Sequence, residues 1–195
     1  GPDIATDVTW RGPEKTASLE KVIGERSTLL PISFLEKGML RARAVVRILL
    51  PGEGNSAPSS GSGFLADNGL VITNHHVLTD ADAARRAIIQ FNFQQTAAGL
   101  DVQPEEARLD VDAAFATSAE DDWSAVRIAG DVAALAAKWG GLPLHPVSVQ
   151  KQEAINIIQH PGGGPKQIAL YHNVVVYSDE RVVQYLTDTL PGSSG

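Results

Sequence analysis

The chain of 195 residues contains no cysteine. No disulfide holds it together, which fits a reducing compartment such as the cytoplasm without excluding export. Long apolar runs are also missing. No stretch reaches membrane-spanning length, and the N-terminus lacks a basic segment followed by an apolar one, so neither a membrane anchor nor a signal peptide is expected. Positive charge is in short supply, with 16 Lys and Arg against 23 Asp and Glu for a formal net charge of −7. That balance opposes binding to a polyanion, so nucleic acid is not an expected partner. No internal repeat is visible. What remains is a hydrophobic content of 43%, in the range of globular proteins. Gly1-Pro2 has the form of the scar left by a tag-removing protease and is set aside.

Residues 3–42 differ in pattern from the rest. Leu19, Val22 and Ile23 lie at helical spacing before Gly24, and Ser33-Phe34-Leu35-Glu36 has the form of a capping box opening a helix from about Phe34 to Arg41. A helical N-terminal extension over residues 1–42 is expected, followed by the main domain over 43–195. There, Ala44–Leu50 reads as a first strand and Pro51–Ser60 as an exposed loop. Ser62–Ala66 and Leu70–Thr73 read as a hairpin whose Asn68-Gly69 favours a type I′ turn. Asp80–Gln90 reads as a helix, then Phe91–Ala98 and Arg108–Phe115 as strands, and residues 129–146 as an Ala-rich crossover. Short strands are expected at 147–149, 154–159, 167–176 and 181–186. Many short strands punctuated by turn residues argue for an all-β sandwich or barrel.

The chemistry gathers at three places. Tyr185–Leu190 is a strand-like run that delivers Pro191-Gly192-Ser193-Ser194-Gly195, a serine in a glycine-flanked turn. Such a turn lets the N–H groups of Gly192 and Ser194 point to one side, where they can hold the oxyanion of a tetrahedral intermediate. A serine hydroxyl needs a base, and the base needs an orienting acid. Thr73-Asn74-His75-His76-Val77 offers the base, and Glu120-Asp121-Asp122 offers the acid. The order His76, Asp122, Ser194 separates this chain from two of the three familiar triad arrangements.

These segments, with Gly61-Ser62-Gly63-Phe64-Leu65, Asp122–Ile128 and Ile155–Gly163, resemble the trypsin-like peptidases of bacteria. The resemblance runs from about residue 43 to the end. It implies an all-β, two-barrel chymotrypsin-like fold with the active site between the barrels. It also implies a serine endopeptidase acting on polypeptide substrates, with His76 as base, Asp122 as orienting acid and Ser194 as nucleophile. Asp122 is preferred to Asp121 and Glu120 because one residue then separates the acid from Ser124-Ala125-Val126. Ser194 is preferred to Ser193 because only Ser194 has glycine two before and one after it. His75 is assigned no role, since neighbouring residues at a strand end face opposite ways. Asp188, six residues before Ser194, takes the place of the S1 carboxylate that selects Arg or Lys at P1, against the alternative of an Asp that braces the loop. The resemblance also implies further strands after Ser194. The run Gly162-Gly163-Gly164 lacks phosphate-loop spacing and reads as a turn, with His160 structural beside it. No metal or cofactor is implied. The rival reading is a catalytically silent protease-like binding or regulatory module, and a regulatory protein could dock on the N-terminal extension.

Overall fold

The computed structural model describes residues 30–52, 54, 57–146, 149–150, 153–170, 174–178 and 183–186. The chain divides into two units, Gly1–Leu35 and Glu36–Gly195. Helix α1 spans Ser33–Ala42 and has no buried residue. Ser33 is its first helical residue rather than its cap. The carbonyls of Pro31 and Ile32 accept from the N–H groups of Phe34 and Leu35 at 2.8 and 3.1 Å, so the expected capping box is displaced by a main-chain turn. Leu19, Val22 and Ile23, the residues at helical spacing, lie outside the described residues.

Strands β1 (Val45–Leu50), β2 (Ser59–Leu65), β3 (Leu70–Thr73), β4 (Ile88–Phe91), β5 (Glu105–Ala107), β6 (Leu109–Ser118) and β7 (Trp123–Ile128) form one curled antiparallel sheet. Its strand order is β5-β4-β1-β2-β3-β7-β6. Alternation drives it: Ser124, Val126 and Ile128 of β7 are buried while Trp123 is exposed. Val46, Ile48, Leu65, Val71, Leu78, Ile89, Phe91 and Val126 fill the interior, each contributing about 1.5–3 kcal/mol if fully transferred from water. Gly63 lies where a Cβ would stand 2.8 Å from Ile48 Cδ1 and 2.9 Å from the Ile72 carbonyl, so only glycine fits here between the neighbouring strands β1 and β3.

Several local expectations change. The hairpin loop between β2 and β3 is not type I′, because its positive φ is at Gly69 (80°) and not at Asn68. The Gly69 N–H reaches the Ala66 carbonyl at 3.0 Å and the Ala66 N–H reaches Leu70 at 2.7 Å, which is a three-residue loop with a glycine bulge. β2 starts at Ser59, inside the stretch read as loop, because Ser59 and Ser60 pair with Leu50 and Leu49. The helix read over 80–90 is only α2, Ala81–Arg86, capped by Asp80, whose carboxylate accepts from the Ala83 N–H at 2.8 Å. Ile88–Phe91 instead belongs to β4, where β-branched residues pair with β1. The strand read over 91–98 therefore ends at Phe91. β5 was not anticipated. Its place is set by a ladder of side chains in which Arg47 Nε donates to Gln90 Oε1 (2.7 Å) and Gln90 Nε2 to Glu106 Oε1 (2.8 Å).

The crossover contains helix α3, Val132–Trp139, opened by Asp131 accepting from Ala134 N–H at 3.1 Å and closed at Gly140 with φ 73°. Trp139 stacks on Phe91 with ring centroids 5.1 Å apart, which fastens α3 to the core. Beyond it, β8 (Ile157–Gln159) pairs with β9 (Gln167–Ala169), and β10 (Val174–Ser178) with β11 (Val183–Leu186). The single strand expected over 167–176 is thus two strands in different ladders. Residues 147 and 148 of another expected strand lie outside the described residues. His160 is fully buried, in keeping with the structural place expected of it: its N–H donates to Ser62 Oγ at 2.9 Å and its Nδ1 to the Gly164 carbonyl at 3.0 Å. Phe93 stacks on its ring at 6.1 Å. Burial pushes the His160 imidazole down to about 4, against the raising effect of the Gly164 bond and with help from the charges of Lys166 and Arg47.

Candidate active site

The register of β3 on β7 builds the site. Thr73, the last residue of β3, pairs with Ser124, so the turn that follows β3 lies beside the turn that precedes β7. Asn74 opens the first turn, its carbonyl accepting the N–H groups of Val77 (3.2 Å) and Leu78 (3.3 Å). Val77 and Leu78 are buried and anchor it, which leaves His76 at the surface. The second turn joins β6 to β7 where Ser118 pairs with Trp123, and it carries Asp122.

The two turns meet through His76 and Asp122. His76 Nδ1 is 2.8 Å from Asp122 Oδ2 and 3.0 Å from Oδ1, and the His76 main-chain N–H donates to Oδ1 at 3.0 Å. Asn74 Nδ2 donates to the Asp122 carbonyl at 2.9 Å. Asp122 has φ 50°, in the left-handed region that Asp tolerates better than most residues. That backbone turns the carboxylate back toward the histidine. Desolvation alone would push the Asp122 carboxyl up. Hydrogen bonds from the His76 main chain and ring, the charge of that ring and the His75 N–H outweigh it and hold the carboxyl below the usual aspartate range.

Asp121 is held elsewhere, its N–H donating to Ser118 Oγ at 3.2 Å and that hydroxyl approaching Asp121 Oδ2 at 3.2 Å. His75 turns away from Asp122, and its Nδ1 lies 2.7 Å from Thr117 Oγ1. Thr117 Oγ1 is in turn 2.6 Å from Ser124 Oγ, which donates to the buried Leu78 carbonyl at 2.7 Å. Sequence reasoning passed over Thr117 and Ser124 because their partners are 42 and 46 positions away. Ser194, Ser193, Gly192 and Asp188 lie outside the described residues. Among the described residues, no group of three or more His, Asp or Glu is arranged to hold a metal ion, and no helix is long and apolar enough to cross a membrane.

Residues 61–195 match the model of the trypsin-like peptidase domain. Among curated proteins, the chain is 34% identical over 190 residues to the uncharacterized protein y4fB of Sinorhizobium fredii, covering 90% of this chain but 28% of that one. Among solved structures, the serine endoprotease from Yersinia pestis superposes with a TM-score of 0.58 at 18% identity, over 86% of this chain and 53% of that one. The active form of the Rv3671c protease from M. tuberculosis superposes with a TM-score of 0.54 at 14% identity, over 87% and 74%. At those identities the likeness speaks to the fold, which is the mostly β, chymotrypsin-like one that the sequence led us to expect. With a family match over residues 61–195, more than half of its length, this chain belongs to the trypsin-like peptidase family.

Proposed function

We propose that the chain carries the catalytic apparatus of a serine endopeptidase, with His76 as general base, Asp122 as its orienting acid and Ser194 as nucleophile. The observation that carries this reading is the 2.8 Å contact between His76 Nδ1 and an ionised Asp122 that also takes the His76 main-chain N–H. A carboxylate can only accept, so Nδ1 is the protonated nitrogen and Nε2 keeps a lone pair for a serine hydroxyl. Ser194 Oγ attacks the peptide carbonyl carbon and its proton passes to Nε2. The imidazolium is stabilised by Asp122, and the new oxyanion is held by the N–H groups of Gly192 and Ser194. The C–N bond then breaks as Nε2 returns the proton to the leaving amine. Water repeats the sequence on the acyl-enzyme to release the acid and regenerate Ser194. No step calls for a metal or cofactor. Substrates are polypeptides, and Asp188 favours Arg or Lys at P1.

The test is labelling of the full-length protein with a fluorophosphonate, mapped by peptide mass spectrometry. Label is expected on Ser194, lost in Ser194→Ala and strongly reduced in His76→Ala. Undiminished labelling of Ser194→Ala would place the nucleophile elsewhere.

A further inference from the structure

We infer that His75 is a positioning residue, holding the turn of the catalytic base through a directed chain of hydrogen bonds that starts at its own ring. The inference rests on the endopeptidase reading for its kinetic consequences and on proton counting for its geometry. Ser124 is fully buried and has one hydroxyl proton. Its oxygen lies 2.7 Å from the carbonyl of Leu78, itself buried, and a carbonyl can only accept. That proton is therefore committed to Leu78, since the alternative leaves two buried oxygens in contact with no proton between them. Toward Thr117, 2.6 Å away, Ser124 Oγ is then the acceptor. The single Thr117 proton serves Ser124 Oγ, with the Trp123 carbonyl at 3.1 Å as its other acceptor. Thr117 Oγ1 has none left for His75, 2.7 Å away, so His75 Nδ1 must be the donor.

The chain runs from His75 Nδ1–H to Thr117, to Ser124, to the carbonyl of Leu78. It begins and ends in the same turn, on either side of His76, and passes through both strands of the β6–β7 hairpin that presents Asp122. The Asn74 bond to the Asp122 carbonyl and the two bonds from His76 to the carboxylate complete the stitching. The His75 ring is thus the side-chain anchor of the base's turn on β6, and its loss frees His76 to drift relative to Asp122. This reverses the expectation that His75 is without a role.

The experiment has two arms. In alkaline buffer, long-range ¹H–¹⁵N spectra of the imidazoles, assigned with His75→Gln, are expected to show His75 as the Nδ1–H tautomer. An Nε2–H tautomer overturns the proton count whether or not the protein cleaves anything. In the kinetic arm, His75→Leu and Thr117→Val are each expected to lower kcat about 10- to 100-fold with KM held within about threefold, the range for a catalytic group displaced by up to about 1 Å. The double variant should be no worse than either. His75→Asn, which keeps an N–H donor near the place of Nδ1, should recover most of the loss at assay temperatures well below each variant's unfolding midpoint. Full turnover by His75→Leu, or a His75→Asn as slow as His75→Leu, refutes the positioning role. A wild-type protein that neither cleaves nor labels would instead refute the endopeptidase reading, leaving the tautomer to decide His75.

Discussion

Replacing Asp122 by Asn is the sharpest test of the pair at the centre of the site, because the structure dictates which end of the amide faces the base. Oδ1 of Asp122 receives the His76 main-chain N–H at 3.0 Å, and that donor still needs an acceptor in the variant. The amide oxygen is therefore drawn to it, and Nδ2 takes the place of Oδ2, which stands 2.8 Å from His76 Nδ1. An N–H at the nearer of the two contacts with Nδ1 favours that nitrogen as acceptor and moves the ring proton to Nε2, the atom that receives the serine proton in the proposed mechanism. The wrong tautomer and the missing negative charge act together. In the well-studied triad the same change lowers kcat by about 10⁴, or roughly 5.5 kcal/mol in activation free energy. Here the His76 and Asp122 side chains are 53% and 45% exposed, so solvent screens the charge part while the tautomer part persists. A loss of about 10³- to 10⁴-fold in kcat, with KM little changed, is expected. The assay is initial-rate hydrolysis of a peptide or ester substrate by the full-length protein, beside Asp121→Asn, which should be much milder. An Asp122→Asn enzyme within about tenfold of wild type, or an Asp121→Asn enzyme that is slower still, would refute the assignment of the acid.

Three further outcomes follow from other parts of the molecule. Gly63→Ala should destabilise the fold by about 1–3 kcal/mol, since its Cβ would press on the fixed Ile72 carbonyl as well as on Ile48; a urea midpoint unchanged from wild type would show that the neighbouring strands yield freely. His160, held at about 4 against 6.5 in the unfolded chain, binds its proton more readily when unfolded, so its contribution is full above about pH 6.5 and is lost as pH falls toward 4. That loss is about 3 kcal/mol, and stability curves for wild type and His160→Asn that run parallel between those limits would contradict it. A peptide-library profile of the full-length protein should show Arg or Lys at P1, with the preference abolished in Asp188→Ser; an unchanged profile in the variant removes Asp188 from the pocket.

The sequence by itself determined the elements whose causes are local. The first strand at Ala44–Leu50 and the glycine-bearing turn at 67–69 were legible because each depends on neighbours a few residues apart, whereas the fold family was legible only through the resemblance that the motifs carry. The order of His76, Asp122 and Ser194, and the motifs around them, pointed to the chemistry. Local signals misled where a distant partner decided the outcome. Ile88–Phe91 continues a helix-forming stretch yet is a strand because β1 lies ready to pair with it, and Glu105–Ala107 is a strand only because β4 offers its edge. The site shows the same division. That His76 would need an acid was readable from chemistry. That Asp122 turns to meet it was decided by the pairing of Thr73 with Ser124 and by a left-handed backbone at Asp122. The chain from His75 through Thr117 and Ser124 to Leu78 was beyond reach of the sequence, since hydrogen bonds spanning more than forty positions leave no periodic trace and exist only once the sheet has set its register.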